Sequence, residues 1–322
     1  MKQTLLARGA RTVVEVCAQV KKGETAVIVA DPHMQSIAQA IANAVYASGA
    51  EPVLAMMVTR TQDGEEPPGP VASAMARSNV FFSAVSRSIT HTRAVTSAVA
   101  EGSRGIMLTG FTESMLAGGG VEADFRQAAP VCKRVAEAMA GSRHIHLTNT
   151  AGTDLRLSAE GRRGNALTCI VGPGEFSPCP TVEANVSPVE GSAEGVIVAD
   201  ASVPYIGIGL LEEPVVAKVS GGLIREISGG RQAKLLAADL AAKDDPNVYN
   251  IAELGVGLNP RCRFIGEMLE DEGVYGTVHI GIGTNITLGG NVKAACHYDL
   301  IMTEPTIVAD GKIVLERGEV RV

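Results

Sequence analysis

The chain of 322 residues has no tryptophan, and only six phenylalanines and five tyrosines. It therefore lacks the aromatic platforms on which proteins stack nucleic-acid bases. It is also short of basic charge, with 28 lysines and arginines against 35 acidic residues and a net charge of −7. That balance excludes general nucleic-acid binding, which needs a basic face. No apolar run is long enough for a transmembrane helix. The N-terminal MKQTLLARGARTVVEV is broken by Arg8 and Arg11 and reads as an amphipathic helix rather than a signal peptide. The cysteines, Cys17, Cys132, Cys169, Cys179, Cys262 and Cys296, are scattered without a C-x-x-C pair. They read as reduced thiols of a cytoplasmic protein. A phosphate-binding G-x-x-x-x-G-K-[ST] loop is missing, no glycine fingerprint joins a strand to a helix, and no long internal repeat is visible.

What is present is an aliphatic chain with 36 glycines. An amphipathic helix over 1–23 is followed by apolar strands (ETAVIVAD, EPVLAMMV, NVFFSAVS, SRGIMLTG) that alternate with helices. This alternation predicts parallel pairing in a doubly wound layer. Asp31 and His33, His91 with Arg93, and Thr109-Gly110 fall at strand ends, where open α/β sheets collect ligands. From Ser142 the texture changes to alternating runs with turns at Gly152-Thr153-Asp154 and Asp310-Gly311, which predict hairpins. The fold class expected is α/β: an N-terminal doubly wound α/β domain, residues 1–140, plus a C-terminal mixed, largely antiparallel α+β metal-binding domain, residues 141–322.

The densest chemistry lies between Ile251 and Thr303, where His279 and His297 stand among Glu253, Glu267, Glu270, Asp271, Glu272 and Asp299. His297 and Asp299 are two apart in CHYDLIM, which alternates as a strand does. Residues i and i+2 of a strand share a face, so an imidazole and a carboxylate face one side, each able to ligate a divalent metal. Cys296 points the other way and reads as a core thiol. Charged groups in or beside short apolar runs are costly unless paired or metal-bound, which suggests that these side chains converge.

The second half resembles the thermophilic metalloaminopeptidase family, of leucyl aminopeptidase or aminopeptidase T type. The matching pieces are GTDL at 152–155, the stretch from Glu183 to Gly195 ending in PVEGSAEG, NIAELGVGLNP at 250–260, LEDEGVYGTVHIGIGTN at 269–285 and HYD at 297–299, with SxTHTRA at 88–94 in the first half. The resemblance implies a two-metal site with Glu183, Glu253, His279, His297 and Asp299 as ligands and Glu253 bridging two zinc, cobalt or manganese ions. Glu253 and Glu272 are the implied catalytic carboxylates, with Glu270 a weaker candidate. The implied reaction is hydrolysis of an amide or related C–N bond by metal-activated water. His91 and Arg93 are expected to bind the substrate, a small molecule or short peptide, and a homodimer is expected. The peptidases' tyrosine shortly after the matching histidine is missing from GIGTNITLGG.

The same superfamily carries a competing resemblance, to 2,5-dihydroxypyridine 5,6-dioxygenase, through GLNPR at 257–261 and His297-x-Asp299. It implies a single ferrous ion on a triad of His279, His297 and Asp299. That enzyme has a histidine where this chain has Glu253, and its counterpart of Glu183 is not acidic. The carboxylates here therefore favour the hydrolase as the first reading and the oxygenase as the second. A binding protein with a relic site is the third; it is disfavoured because all five ligand positions carry ligand-capable side chains.

Overall fold

The computed structural model describes residues 2–322, with side chains from Thr4 onward. The chain divides into two compact units, one formed by residues 1–129 and 167–181 and the other by 130–166 and 182–322. The first division falls at Pro130, inside the helix Phe125–Met139. The excursion of 167–181 into the first unit is not captured by a single boundary at 140/141.

The first unit is built on a five-stranded sheet in the spatial order Glu51–Met56, Thr25–Ala30, Val80–Ala84, Arg104–Met107, Phe176–Pro178. All four pairings are parallel. The strands Thr25–Ala30 and Val80–Ala84 are apolar runs buried on both faces, as strands covered by helices must be. Phe81, Met75, Met107, Ile89 and Val95 join one buried cluster between this sheet and its helices. The chain reverses its direction of progress between the first and third strands, the switch point of such sheets. There Asp31 accepts from the Ser86 backbone NH at 2.7 Å and the Ser86 hydroxyl at 2.9 Å. The first helix is α-helical only over Lys2–Arg11 and continues as a π-helix over Thr12–Cys17.

The second unit holds two sheets, one of eight strands and one of seven. The eight-stranded sheet contains the two expected hairpins, Ile145–Thr148 with Asp154–Leu157 and Thr306–Ala309 with Lys312–Glu316, and a further one, Val215–Ser220 with Leu223–Gly229. The seven-stranded sheet has at its centre Glu183–Val186, Ile251–Gly257, Val278–Gly283 and His297–Met302, each antiparallel to the next. The architecture is thus mixed α/β, with a parallel sheet and antiparallel sheets, as the sequence leads one to expect. Among the described residues no helix is long and apolar enough to cross a membrane.

Candidate metal centre

The register of the seven-stranded sheet gathers the predicted ligands. Glu183 lies opposite Gly257 and Glu253 opposite Gly281; His279 lies opposite Gly255, Asp299 opposite Gly281, and His297 opposite Gly283. Directly opposed residues share a face, and the face recurs every second residue. All five side chains therefore rise from one side of four adjacent strands, and each faces a glycine across the ladder. At two of these glycines the reason is steric. A Cβ on Gly255 would fall 2.0 Å from His279 Nε2, and one on Gly281 would fall 2.8 Å from His297 Nε2 and 2.7 Å from Glu253 Cβ. The missing side chains are the space in which the imidazoles lie.

Two triads of donors have their ligand atoms within 4.8 Å of one another: Glu183, Glu253 and His279, and Glu253, His297 and Asp299. They share Glu253. Its Oε2 lies 2.9 Å from His297 Nε2 and its Oε1 4.0 Å from His279 Nε2, while Glu183 Oε1 is 3.6 Å from His279 Nε2 and Asp299 Oδ1 is 3.5 Å from His297 Nε2. The trio His279, His297 and Asp299 expected of a ferrous site is not one of these triads; Glu253 takes the place of His279. The triads also differ in access, since the His279 side chain is 1% exposed and that of His297 is 25% exposed.

These donors fit a cation. Asp299 Oδ1 and His279 Nδ1 are buried without a hydrogen-bond partner, a costly state that a ligand can relieve for the carboxylate oxygen. His297 Nδ1 lies 2.8 Å from the Thr284 carbonyl oxygen. That oxygen can only accept, so the imidazole donates from Nδ1, and Nε2 faces the carboxylates as the atom that can take a metal once it has lost its proton. Asn185 Nδ2 donates to Glu183 Oε1 at 2.7 Å and fixes that carboxylate. Burial and the neighbouring Glu183 charge raise the Glu253 carboxyl to about 7, against the His297 and His279 imidazoles. Burial works to lower the His279 imidazole, but Glu183, Asp299 and Glu253 outweigh it and lift it to about 10. The metal-free cluster thus offsets its excess of carboxylates by holding protons, an office a divalent ion can fill.

The acidic run 270–272 divides its work. Asp271 is structural: it accepts from the Ser202 hydroxyl at 2.6 Å and from the backbone NH groups of Ile265 and Gly266. Glu272 reaches the site, where its Oε1 is 2.8 Å from the Tyr205 hydroxyl; that hydroxyl is also 2.5 Å from Asp299 Oδ2. A phenol has one hydrogen to give. Burial and the Asp299 charge raise the Glu272 carboxyl well above its ordinary range. Burial works to raise Asp299, but the imidazoles and Tyr205 hold it low. The phenol accordingly donates to Asp299 and accepts from protonated Glu272. Nothing in the loop PYIGIG marks Tyr205 from sequence; the pairing of Ser202 with Ile301 helps bring it to the site. In the first unit, Thr92 caps the helix Arg93–Ala100, and Arg93 pairs with Glu66 at 3.4 Å.

Comparison with known proteins now bears on the choice of reading. The sequence model of the family described as NicX, 2,5-dihydroxypyridine 5,6-dioxygenase, matches residues 6–322. The chain belongs to this family. A 2,5-dihydroxypyridine 5,6-dioxygenase of Pseudomonas putida (strain KT2440) is 30% identical over 160 residues, a match covering 46% of this chain and 45% of that protein. The matched region is thus about half the length of that relative. The solved structure of 2,5-dihydroxypyridine dioxygenase from Pseudomonas putida KT2440 is similar at a TM-score of 0.85, with 18% identity over 99% of this chain and 98% of that one. The aminopeptidase AmpT from Thermus thermophilus is also similar, at a TM-score of 0.69 and 17% identity over the full length of both chains. At those identities the structures establish a shared fold and nothing finer.

Both proteins thus share this chain's fold, but the family assignment made from the sequence is corrected. The chain is a member of the NicX dioxygenase family and not of the aminopeptidase T type. The reading as a metallohydrolase cleaving a C–N bond, together with its protease chemistry, is overturned by that membership. The error had a physical source. Carboxylate-rich donor sets favour hard ions in general, but they do not by themselves decide which reaction the ion serves.

Proposed function

We propose that this protein is a non-haem iron(II) dioxygenase that opens the ring of a dihydroxypyridine-like heterocycle. The observation that carries this reading is the family match over residues 6–322, joined to a cluster of donors on one sheet face that suits a divalent ion. Glu253, His297 and Asp299 would hold the iron, because theirs is the triad with a partly exposed imidazole, and a catalytic ion needs open positions. Ferrous iron supplies, when bound, the one-electron chemistry through which dioxygen can react with an electron-rich ring.

The chain's own groups would have narrower tasks. Thr284 holds the His297 ring through Nδ1, so that Nε2 faces Glu253 and Asp299. His279 and Glu183 lie behind them, set by Gly255 and Asn185. Glu272 keeps its proton toward the Tyr205 oxygen. His91 and Arg93 are retained as proposed substrate-binding residues, and a His91→Ala variant with unchanged KM and kcat would remove that role from His91. The expected homodimer is retained as well. Metal content tests the reading: protein purified anaerobically should carry one ferrous ion per chain. Two zinc, cobalt or manganese ions, with turnover of aminoacyl amides, would contradict it.

A further inference from the structure

We propose that Tyr205 is a positioning residue of the metal centre, which ties down one oxygen of Asp299 so that the other is presented alone to the ion. This rests on the metal-binding part of the reading above and not on the reaction that the metal serves.

The two oxygens of Asp299 have different surroundings. Oδ2 lies 2.5 Å from the Tyr205 hydroxyl. Oδ1 is buried without a hydrogen-bond partner and lies 3.5 Å from His297 Nε2. The terminal torsion of an aspartate is broad and roughly two-fold, so an unrestrained carboxylate can swing to offer either oxygen or both. A short bond from a neutral donor to one oxygen removes that freedom.

Tyr205 is itself well held. Its ring stacks on Tyr298, the neighbour of both His297 and Asp299, with centroids 4.8 Å apart and planes at 29°. The Tyr298 hydroxyl donates in turn to Asp239 Oδ2 at 3.0 Å. The Tyr205 backbone NH donates to the Val203 carbonyl at 2.8 Å, and its carbonyl accepts from Ile208 at 2.9 Å. The short strand Ser202–Val203 pairs with the strand that carries Asp299, through Ser202 and Ile301, and Asp271 clamps the Ser202 hydroxyl. The phenol is thus anchored by its backbone and its ring to the same strand as the carboxylate it contacts. Tyr205 also joins Pro204, Ile206, Ile265 and Glu267 in lining a cavity of about 450 Å³.

Tyr205→Phe keeps the ring and removes only the hydroxyl. Cobalt(II), used as a spectroscopic stand-in and titrated into the full-length metal-free protein, gives both an affinity and a visible spectrum. The proposal expects Tyr205→Phe to bind cobalt about 10–100-fold more weakly, the usual effect of losing a group that orients a ligand. The cobalt bands should shift as Asp299 changes from one-oxygen to two-oxygen ligation. Tyr298→Phe, which loses the hydroxyl bond to Asp239 but no bond to a ligand, should keep wild-type affinity and spectrum. Wild-type affinity and spectrum in Tyr205→Phe would overturn the proposal, as would an equal loss in both variants. Absence of cobalt binding by the wild type would overturn it along with the metal centre. The dioxygenase reading fails separately: loss of affinity in Tyr205→Phe, beside a wild type that cleaves no ring, would remove that reading and leave the positioning role standing.

Discussion

Gly255 lies directly across the ladder from His279, and a side chain on it would place its Cβ 2.0 Å from the imidazole Nε2. A ring nitrogen at that distance cannot stay, and the site has little slack, because His279 is 1% exposed. Gly255→Ala should therefore move the imidazole away from Glu183 and Glu253. Overpacking of this kind costs about 1–3 kcal/mol, visible as a lower thermal midpoint of the metal-free protein. A variant with unchanged midpoint and unchanged metal affinity would show that the imidazole has room to relax.

Metal uptake should be strongly pH-dependent. Metal ligands must be deprotonated, so binding releases whatever protons they hold. Below about pH 7 the Glu253 carboxyl holds one, because burial and then Glu183 raise it to that value. The His297 imidazole holds another, since burial would lower it but Asp299 and Glu253 keep it well above its ordinary value. Affinity should rise with pH, with a steeper slope below pH 7 than above it as the Glu253 contribution disappears. Calorimetric titration in buffers of different ionisation enthalpy counts the released protons; a pH-independent affinity between pH 6 and 8 would contradict the arrangement.

The two triads can be separated by substitution. Asp299→Asn touches only the set with Glu253 and His297, and Glu183→Gln only the set with Glu253 and His279. If the iron sits on the accessible triad, Asp299→Asn should abolish iron binding, whereas Glu183→Gln should weaken it about 10–100-fold, as loss of a supporting group does. Glu253→Gln, common to both triads, should lose the metal and the activity together. Full iron content in Asp299→Asn would move the ion to the deeper triad.

The proposed dimer has a candidate surface in the strand Glu51–Met56. It is at the edge of the parallel sheet, and Val53, Leu54 and Met56 are 41–44% exposed. The Glu51 and Met57 NH groups point inward, to Glu24 and Ala30, so by alternation the backbone groups of Leu54 and Met56 point outward. Exposed apolar edges invite pairing with another strand, and an inserted lysine blocks it. Leu54→Lys should convert a dimer to a monomer by light scattering after size exclusion. A dimer that survives the substitution would remove this strand from the interface.

Much of the centre was legible before any coordinates, for a local reason. His297-x-Asp299 shows its shared face through the period of two, and the glycines beside His279 and Glu253 are visible in the text. How the ligands group was not legible, because it depends on register. Glu253 stands opposite Gly281 and therefore between the two histidines, which favours Glu253 over His279 as the companion of His297. Tyr205 was not legible because about ninety residues of strands and helices separate it from Asp299, and its neighbours carry no pattern. The strand Phe176–Pro178 was hidden for another reason: three residues ending in a proline, in a stretch rich in glycine and proline, give no period to read. The dioxygenase family was ranked second rather than first because the same carboxylates and imidazoles serve hydrolases and oxygenases alike.

The most direct test is oxygen consumption by the iron(II)-loaded protein with 2,5-dihydroxypyridine, prepared anaerobically and started by adding dioxygen. One dioxygen consumed per ring opened, with both labelled oxygen atoms from ¹⁸O₂ in the product, is the predicted result. No uptake and no ring opening with fully iron-loaded protein, beside amide hydrolysis by the zinc- or manganese-loaded form, would contradict it.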